Sequence, residues 1–167
     1  CCVKRSPMDS GTISLRLMAV LGLLMIAAAI SDLRSRTISN ELNAAVALLA
    51  IPFWIASGLS VWPDIPLQFG AAFAVFLVFA GLFAIGAMGG GDVKMIGAVM
   101  LWIPLPLFMP TLTVMAIGGG ILSAIMLIHL KLRRSDKPVE VPYGVAIAAA
   151  GLWALHQQYL NQFQAIG

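Results

Sequence analysis

Six apolar runs, at residues 15–31, 42–62, 68–88, 93–109, 111–130 and 143–160, leave this chain little choice of fold. A bilayer's hydrocarbon core is roughly 30 Å thick and takes about 20 helical residues at 1.5 Å each, close to the length of these runs. Composition points the same way: 60% of the residues are hydrophobic and 10% charged, against roughly 25% charged in soluble domains. A soluble core built from 167 residues cannot hide that much apolar surface. In lipid each backbone N–H and C=O must find its partner within the protein, so the runs are predicted as helices. The expected fold is an all-α membrane protein, a bundle of six transmembrane helices with the amino terminus outside. Residues 1–14 are read as an N-terminal tail, 15–160 as the six-helix transmembrane domain and 161–167 as a C-terminal tail. Met8 and Met18 are candidate starts, since residue 1 is cysteine.

Lysine and arginine near the run ends set the orientation. One set of connections carries Arg34 and Arg36, then Lys94, then Lys131, Arg133, Arg134 and Lys137. The opposite connections, around residues 63–66 and 110, carry none. Lys4, Arg5 and Arg16 run against the pattern, and a start at Met8 removes two of them. Trp62 and Trp102 are expected at the outer interface, where aromatic belts form. Glycine and alanine clusters, such as residues 27–29, 118–120 and 148–150, suit close helix packing where hydrophobic driving force is absent. The runs show no inverted repeat of the kind transporters use.

The charges that remain are few and specific. The basic residues cluster at run ends without the broad basic face that nucleic acid requires, so no nucleic-acid partner is expected. Cys1 and Cys2 are adjacent and cannot form a C-x-x-C pair. His129 and His156 stand singly on apolar runs, so no metal site is expected.

Two acids lie at the predicted cytoplasmic face. Asp92 follows Gly89, Gly90 and Gly91 at the seam between two apolar runs. An ionisable group in such a place is costly to keep, which marks it as a functional candidate. The glycines remove side-chain bulk, so backbone or substrate can approach. Asp32 closes the first run ahead of Arg34 and Arg36. Each acid alone has a plainer reading: Asp92 as a helix N-cap, Asp32 as a polar helix stop paired with Arg36. Together they match the aspartic-protease scheme, in which two carboxylates share one proton because like charges about 3 Å apart cannot both ionise. The ionised acid takes a proton from water and the neutral one serves the scissile carbonyl. Helix polarity favours Asp92, at an N-terminus, as the anion and base, and Asp32, at a C-terminus, as the neutral acid.

These residues resemble a known family. The run Gly89-Gly90-Gly91-Asp92-Val93-Lys94 is similar to the G-x-G-D motif of type IV prepilin peptidases. Asp32-Leu33-Arg34 through Ile38-Ser39-Asn40 resembles the first-aspartate motif D-x-R-x-x-x-I-P-N, with Ser39 where proline is usual. Val141-Pro142-Tyr143-Gly144-Val145-Ala146 looks like the start of the last span in the short Tad/Cpa branch. The resemblance implies a membrane-embedded aspartic endopeptidase of the bacterial inner membrane. Such enzymes cut the basic leader from type IV (Flp-like) prepilins, or pseudopilins, at the cytoplasmic face. It implies Asp32 and Asp92 as the catalytic positions, with Gly89, Gly91, Lys94, Arg36 and Asn40 around them. Pro142, Tyr143 and Gly144 are read as a substrate entrance or, equally, as a helix start. Lipid and pilus assembly machinery are the other expected partners. Larger relatives carry a cysteine-bearing segment and N-methylate their product with S-adenosylmethionine. This chain shows no such insertion, so methylation is not expected and no cofactor is assigned. The alternative from another class is a small membrane transporter or an assembly subunit with structural acids.

Overall fold

The computed structural model describes residues 7–133 and 141–164. Over them the chain forms six α-helices: α1 (Pro7–Ser35), α2 (Asn40–Ala56), α3 (Asp64–Ala84), α4 (Gly90–Met100), α5 (Phe108–Arg133) and α6 (Tyr143–Gln164). A single 3₁₀ turn, Leu105–Leu107, precedes α5. Cys1, Cys2, Lys4, Arg5, Arg134 and Lys137 lie outside the described residues. Helix α1 packs on α2 and α6, α5 packs on α6, and α4 is held between α2, α3 and α6.

Among the described residues, three helices are long and apolar enough to cross a membrane: Gly11–Ser35, Asp64–Ala84 and Leu105–His129. Helix α2 is apolar but has 17 residues. The run 93–109, expected as one span, is a correction. Helix α4 has 11 residues, about 16 Å at 1.5 Å each, and stops at Met100. Pro104 and Pro106 lack the N–H that a continuing helix needs, and the chain turns through residues 101–107 before α5 begins.

A helix that stops short of the surface leaves its last carbonyls buried, where each must find a donor. Side chains from α2 and α3 supply them. Gln68 Nε2 donates to Met100 O at 2.9 Å and to Ile103 O at 2.6 Å. Trp54 Nε1 donates to Leu101 O at 2.8 Å. Trp102 returns the tie by donating from Nε1 to Val46 O at 2.8 Å. It is 1% exposed and stacks on Phe53 with ring centroids 4.8 Å apart. Trp102 is therefore a core residue and not the interfacial anchor expected from the sequence; its indole N–H is used inside the protein. Trp62, by contrast, is 80% exposed.

The core gathers around α4, whose Met95, Ile96, Val99 and Met100 are buried with Leu21, Met25, Val46 and Ile147 from its neighbours. Gly97 admits the ring of Phe76 at a distance that a Cβ would close to 3.0 Å. The outward faces are apolar as well: Leu23, Leu48, Ile55, Val78 and Ile128 are all more than half exposed.

Candidate active site

The end of α1, the start of α2, the α3–α4 connection and the start of α6 meet at one end of the bundle. Arg36 closes α1 with φ 52°, and its N–H donates to Asp32 O at 2.9 Å. That left-handed residue turns the chain sharply, a common way to end a helix. Ser31 Oγ donates to Thr37 O at 2.9 Å and steadies the corner. Ser39 then N-caps α2, its hydroxyl accepting from Leu42 N at 3.2 Å. The serine that departs from the family pattern thus starts the next helix by capping, as serine does well.

With α2 started there, Asn40 and Asn43 both reach α4. Lys94 Nζ donates to Asn40 Oδ1 at 2.8 Å. Asn43 Nδ2 donates to Gly91 O at 3.2 Å. Gly91 lies against Ile38, whose backbone N and O sit 3.4 Å from where a Cβ would project. These contacts clamp the two aspartate-bearing segments together. Lys94 and Asn40, expected around the acids, act on the clamp and face a separate groove between α2, α3 and α4. Asn43 was not singled out from the sequence. A polar residue three positions after Asn40, on the same helical face and facing the protein interior, was the available clue.

Asp32 and Asp92 line one cavity of about 460 Å³, together with Arg36, Gly86, Ala87, Met88, Gly89, Val141 and Tyr143. That size falls within the usual range for ligand sites. Asp32 is only 4% exposed. Its Oδ2 accepts from the backbone N–H of Gly144 at 2.8 Å. A Cβ at Gly144 would meet the Asp32 carboxylate at 2.8 to 3.0 Å, so glycine is what lets the acid rest against the start of α6. Gly144, read as part of a substrate entrance or a helix start, lies in the first turn of α6 and holds Asp32. Tyr143 does form cavity wall; its ring lies over Gly119, and its hydroxyl is 3.2 Å from Ser123 Oγ. Pro142 caps the turn into α6, accepting from Val145 N at 3.3 Å, and is not among the lining residues.

Asp92 occupies the first turn of α4, outside the three candidate spans. Its Oδ2 folds back over Gly89, 3.0 Å from where a Cβ would stand there. Gly89 and Gly91 therefore serve close approach. Burial first, and the charge of Asp32 second, push the Asp92 carboxyl up to about 6. Along the chain Asp92 sits at the N-terminus of α4 and Asp32 at the C-terminus of α1; the fold adds the N-terminus of α6, which is brought onto Asp32. Two carboxyls lining one partly enclosed cavity, each feeling the other's charge, resist losing both protons.

A search of curated proteins and one of solved structures returned no match. A family model, that of the type IV leader peptidase family, matches residues 19–128, which include Asp32 and Asp92 and stop short of α6. With the match covering well over half the chain, the protein belongs to the type IV leader peptidase family.

Proposed function

We propose that the protein is a membrane-embedded aspartic endopeptidase that removes the leader peptide of type IV (Flp-like) prepilins at the cytoplasmic face of the bacterial inner membrane. The observation that carries this reading is the convergence of Asp32 and Asp92, from separate helices, on one cavity in a chain of the leader peptidase family. In the scheme a water between the carboxyls loses a proton to the ionised acid and attacks the scissile carbonyl carbon. The protonated acid serves the carbonyl oxygen. The tetrahedral adduct collapses as the C–N bond breaks and the leaving amine takes up a proton.

Three further observations support the membrane setting and its sense. Three helices have the length and apolarity to cross. The outer faces of the bundle are apolar. Arg34, Arg36, Lys94 and Lys131 fall at helix ends on the side of the acids, which under the positive-inside rule supports a cytoplasmic site and an amino terminus outside. A prepilin, basic in its leader and apolar immediately after it, would present its cleavage site at this boundary.

The test is cleavage of a pilin precursor in membranes by the wild type, Asp32→Asn and Asp92→Asn. Cleavage by the wild type and loss in both variants is the expected result. A precursor left whole by all three would favour the transporter or assembly-subunit reading. A wild type that cuts while either variant keeps near-normal activity would remove the two-carboxylate scheme.

A further inference from the structure

The pair is not symmetric. Asp32 is nearly sealed from solvent yet accepts a backbone N–H from Gly144 at 2.8 Å. That N–H is one of the unpaired donors of the first turn of α6, where the helix carries partial positive charge. Arg36 lines the same cavity. Asp92 has no side-chain hydrogen bond from another residue among those described. Its carboxylate folds over Gly89 beside its own helix end and lies partly exposed. Arg36, Asp92 and Tyr143 are the ionisable groups that line the cavity with Asp32; the described residues of α2 and α5 add none.

We propose that the first turn of α6, through the Gly144 N–H and the absence of a side chain there, keeps Asp32 as the resting carboxylate and leaves the shared proton on Asp92. Asp32 is then the base that takes the proton from water, and Asp92 the acid that hydrogen-bonds and protonates the carbonyl oxygen. This reverses the assignment that helix polarity along the chain suggested. Gly144 is a positioning residue: it acts only through Asp32. Burial opposes the charge on Asp32, and the Gly144 N–H at the positive end of α6 offsets that cost, since a hydrogen bond to a charged form favours that form. Asp92 has no such donor from another helix among the described residues. The raised Asp92 carboxyl agrees with this arrangement. The assignment rests on the peptidase reading for its catalytic meaning, but proton location can be read without substrate.

The experiment is an infrared titration of the full chain in micelles, following the C=O stretch of protonated carboxyl groups just below the value of about 6 expected for Asp92. A band surviving there in the wild type and vanishing in Asp92→Asn is the expected result. A band that survives in Asp92→Asn, or that is missing from the wild type, overturns the assignment. Residual cleavage gives an independent reading. An amide at position 92 can still donate to the carbonyl, whereas an amide at position 32 cannot accept a proton from water. Asp92→Asn should therefore retain about ten-fold more activity than Asp32→Asn, and equal or reversed residual rates count against the proposal. Gly144→Ala should lower kcat with KM little changed and move the acid limb of the pH–rate profile to higher pH. A fall in kcat with the limbs unmoved would reduce Gly144 to packing. Should Gly144→Ala fail to fold, the infrared comparison of the two Asn variants decides alone. A wild type that cuts no prepilin would remove the peptidase reading and leave the infrared result standing.

Discussion

The two ends of α4 do opposite things with the same problem. At its N-terminus the helix opens on a cavity lined by Asp32, Asp92 and Arg36, and glycines at 89 and 91 keep the approach clear. At its C-terminus the carbonyls of Met100, Leu101 and Ile103 are each met by a side-chain donor, from Gln68 or Trp54. One end concentrates ionisable groups that compete for a proton; the other gives the carbonyls at the helix end neutral donors, though Ser57 Oγ and Gln158 Oε1 nearby are buried without a partner among the described residues. Eleven residues separate a place that stores electrostatic stress from a place that removes it. The lesson is that a short helix can carry a costly acid at one end because its other end is pinned by neutral hydrogen bonds.

That contrast can be broken by substitution. The largest effect is expected at the open end: Asp32→Asn or Asp92→Asn should cut precursor cleavage by at least about 10³-fold, with the folded protein retained, as read by cleavage in membranes beside circular dichroism. At the pinned end, Trp102→Ala should cost about 3–5 kcal/mol of stability through the cavity it leaves, measured by denaturant unfolding in micelles. Gln68→Met keeps the volume but strands two buried carbonyls, and should cost about 2–3 kcal/mol. Cleavage per folded molecule should change little in either variant. A Gln68→Met protein as stable as the wild type would mean that the C-terminal end of α4 is not pinned as described.

A pH measurement sharpens the same comparison. Asp92 binds its proton more tightly in the folded protein than the ordinary carboxyl value of about 4 implies. Stability is therefore greatest below that ordinary value and is lost as pH rises toward about 6, where the folded group ionises. Asp92→Asn removes this loss, so above pH 6 it should be about 1–2 kcal/mol more stable than the wild type, allowing for partial exposure of the group. A less stable Asp92→Asn would contradict the view that the open end carries stress. The smallest effect is expected from Lys94→Ala, which breaks the exposed contact to Asn40 and should cost less than about 1 kcal/mol.

Much of the site was legible because its residues announce themselves chemically. An acid after three glycines at the edge of an apolar run, and a second acid before two arginines, are rare enough in such a chain to be read directly. The number and order of the helices were legible too, because six apolar runs separated by polar, glycine- or proline-bearing connections correspond to the six helices. Two readings went astray where a partner distant in sequence decided the outcome. Residues 93–109 read as one span because hydropathy counts apolar length and does not register that Pro104 and Pro106 break the run while Gln68 and Trp54 satisfy the carbonyls left in the interior. Trp102 read as an interfacial aromatic because nothing local shows that Val46 O takes its N–H. Gly144 read as an entrance or, equally, a helix start; it does lie in the first turn of α6, and what no local pattern showed is its tie to Asp32, 112 residues away.

What the amino-acid sequence determined by itself was the all-α class of fold with six helices, the end of the bundle that carries charge, and the two acids that line one cavity there. All three follow from quantities that add along the chain: apolar length, charge at run ends and local turn chemistry. Only the tertiary structure decided where α4 stops, which tryptophan is core, and that the start of α6 rests on Asp32. Beyond the local break that Pro104 and Pro106 supply, those depend on hydrogen bonds between groups tens of residues apart, and a buried donor or acceptor chooses among distant partners by geometry that no local pattern encodes.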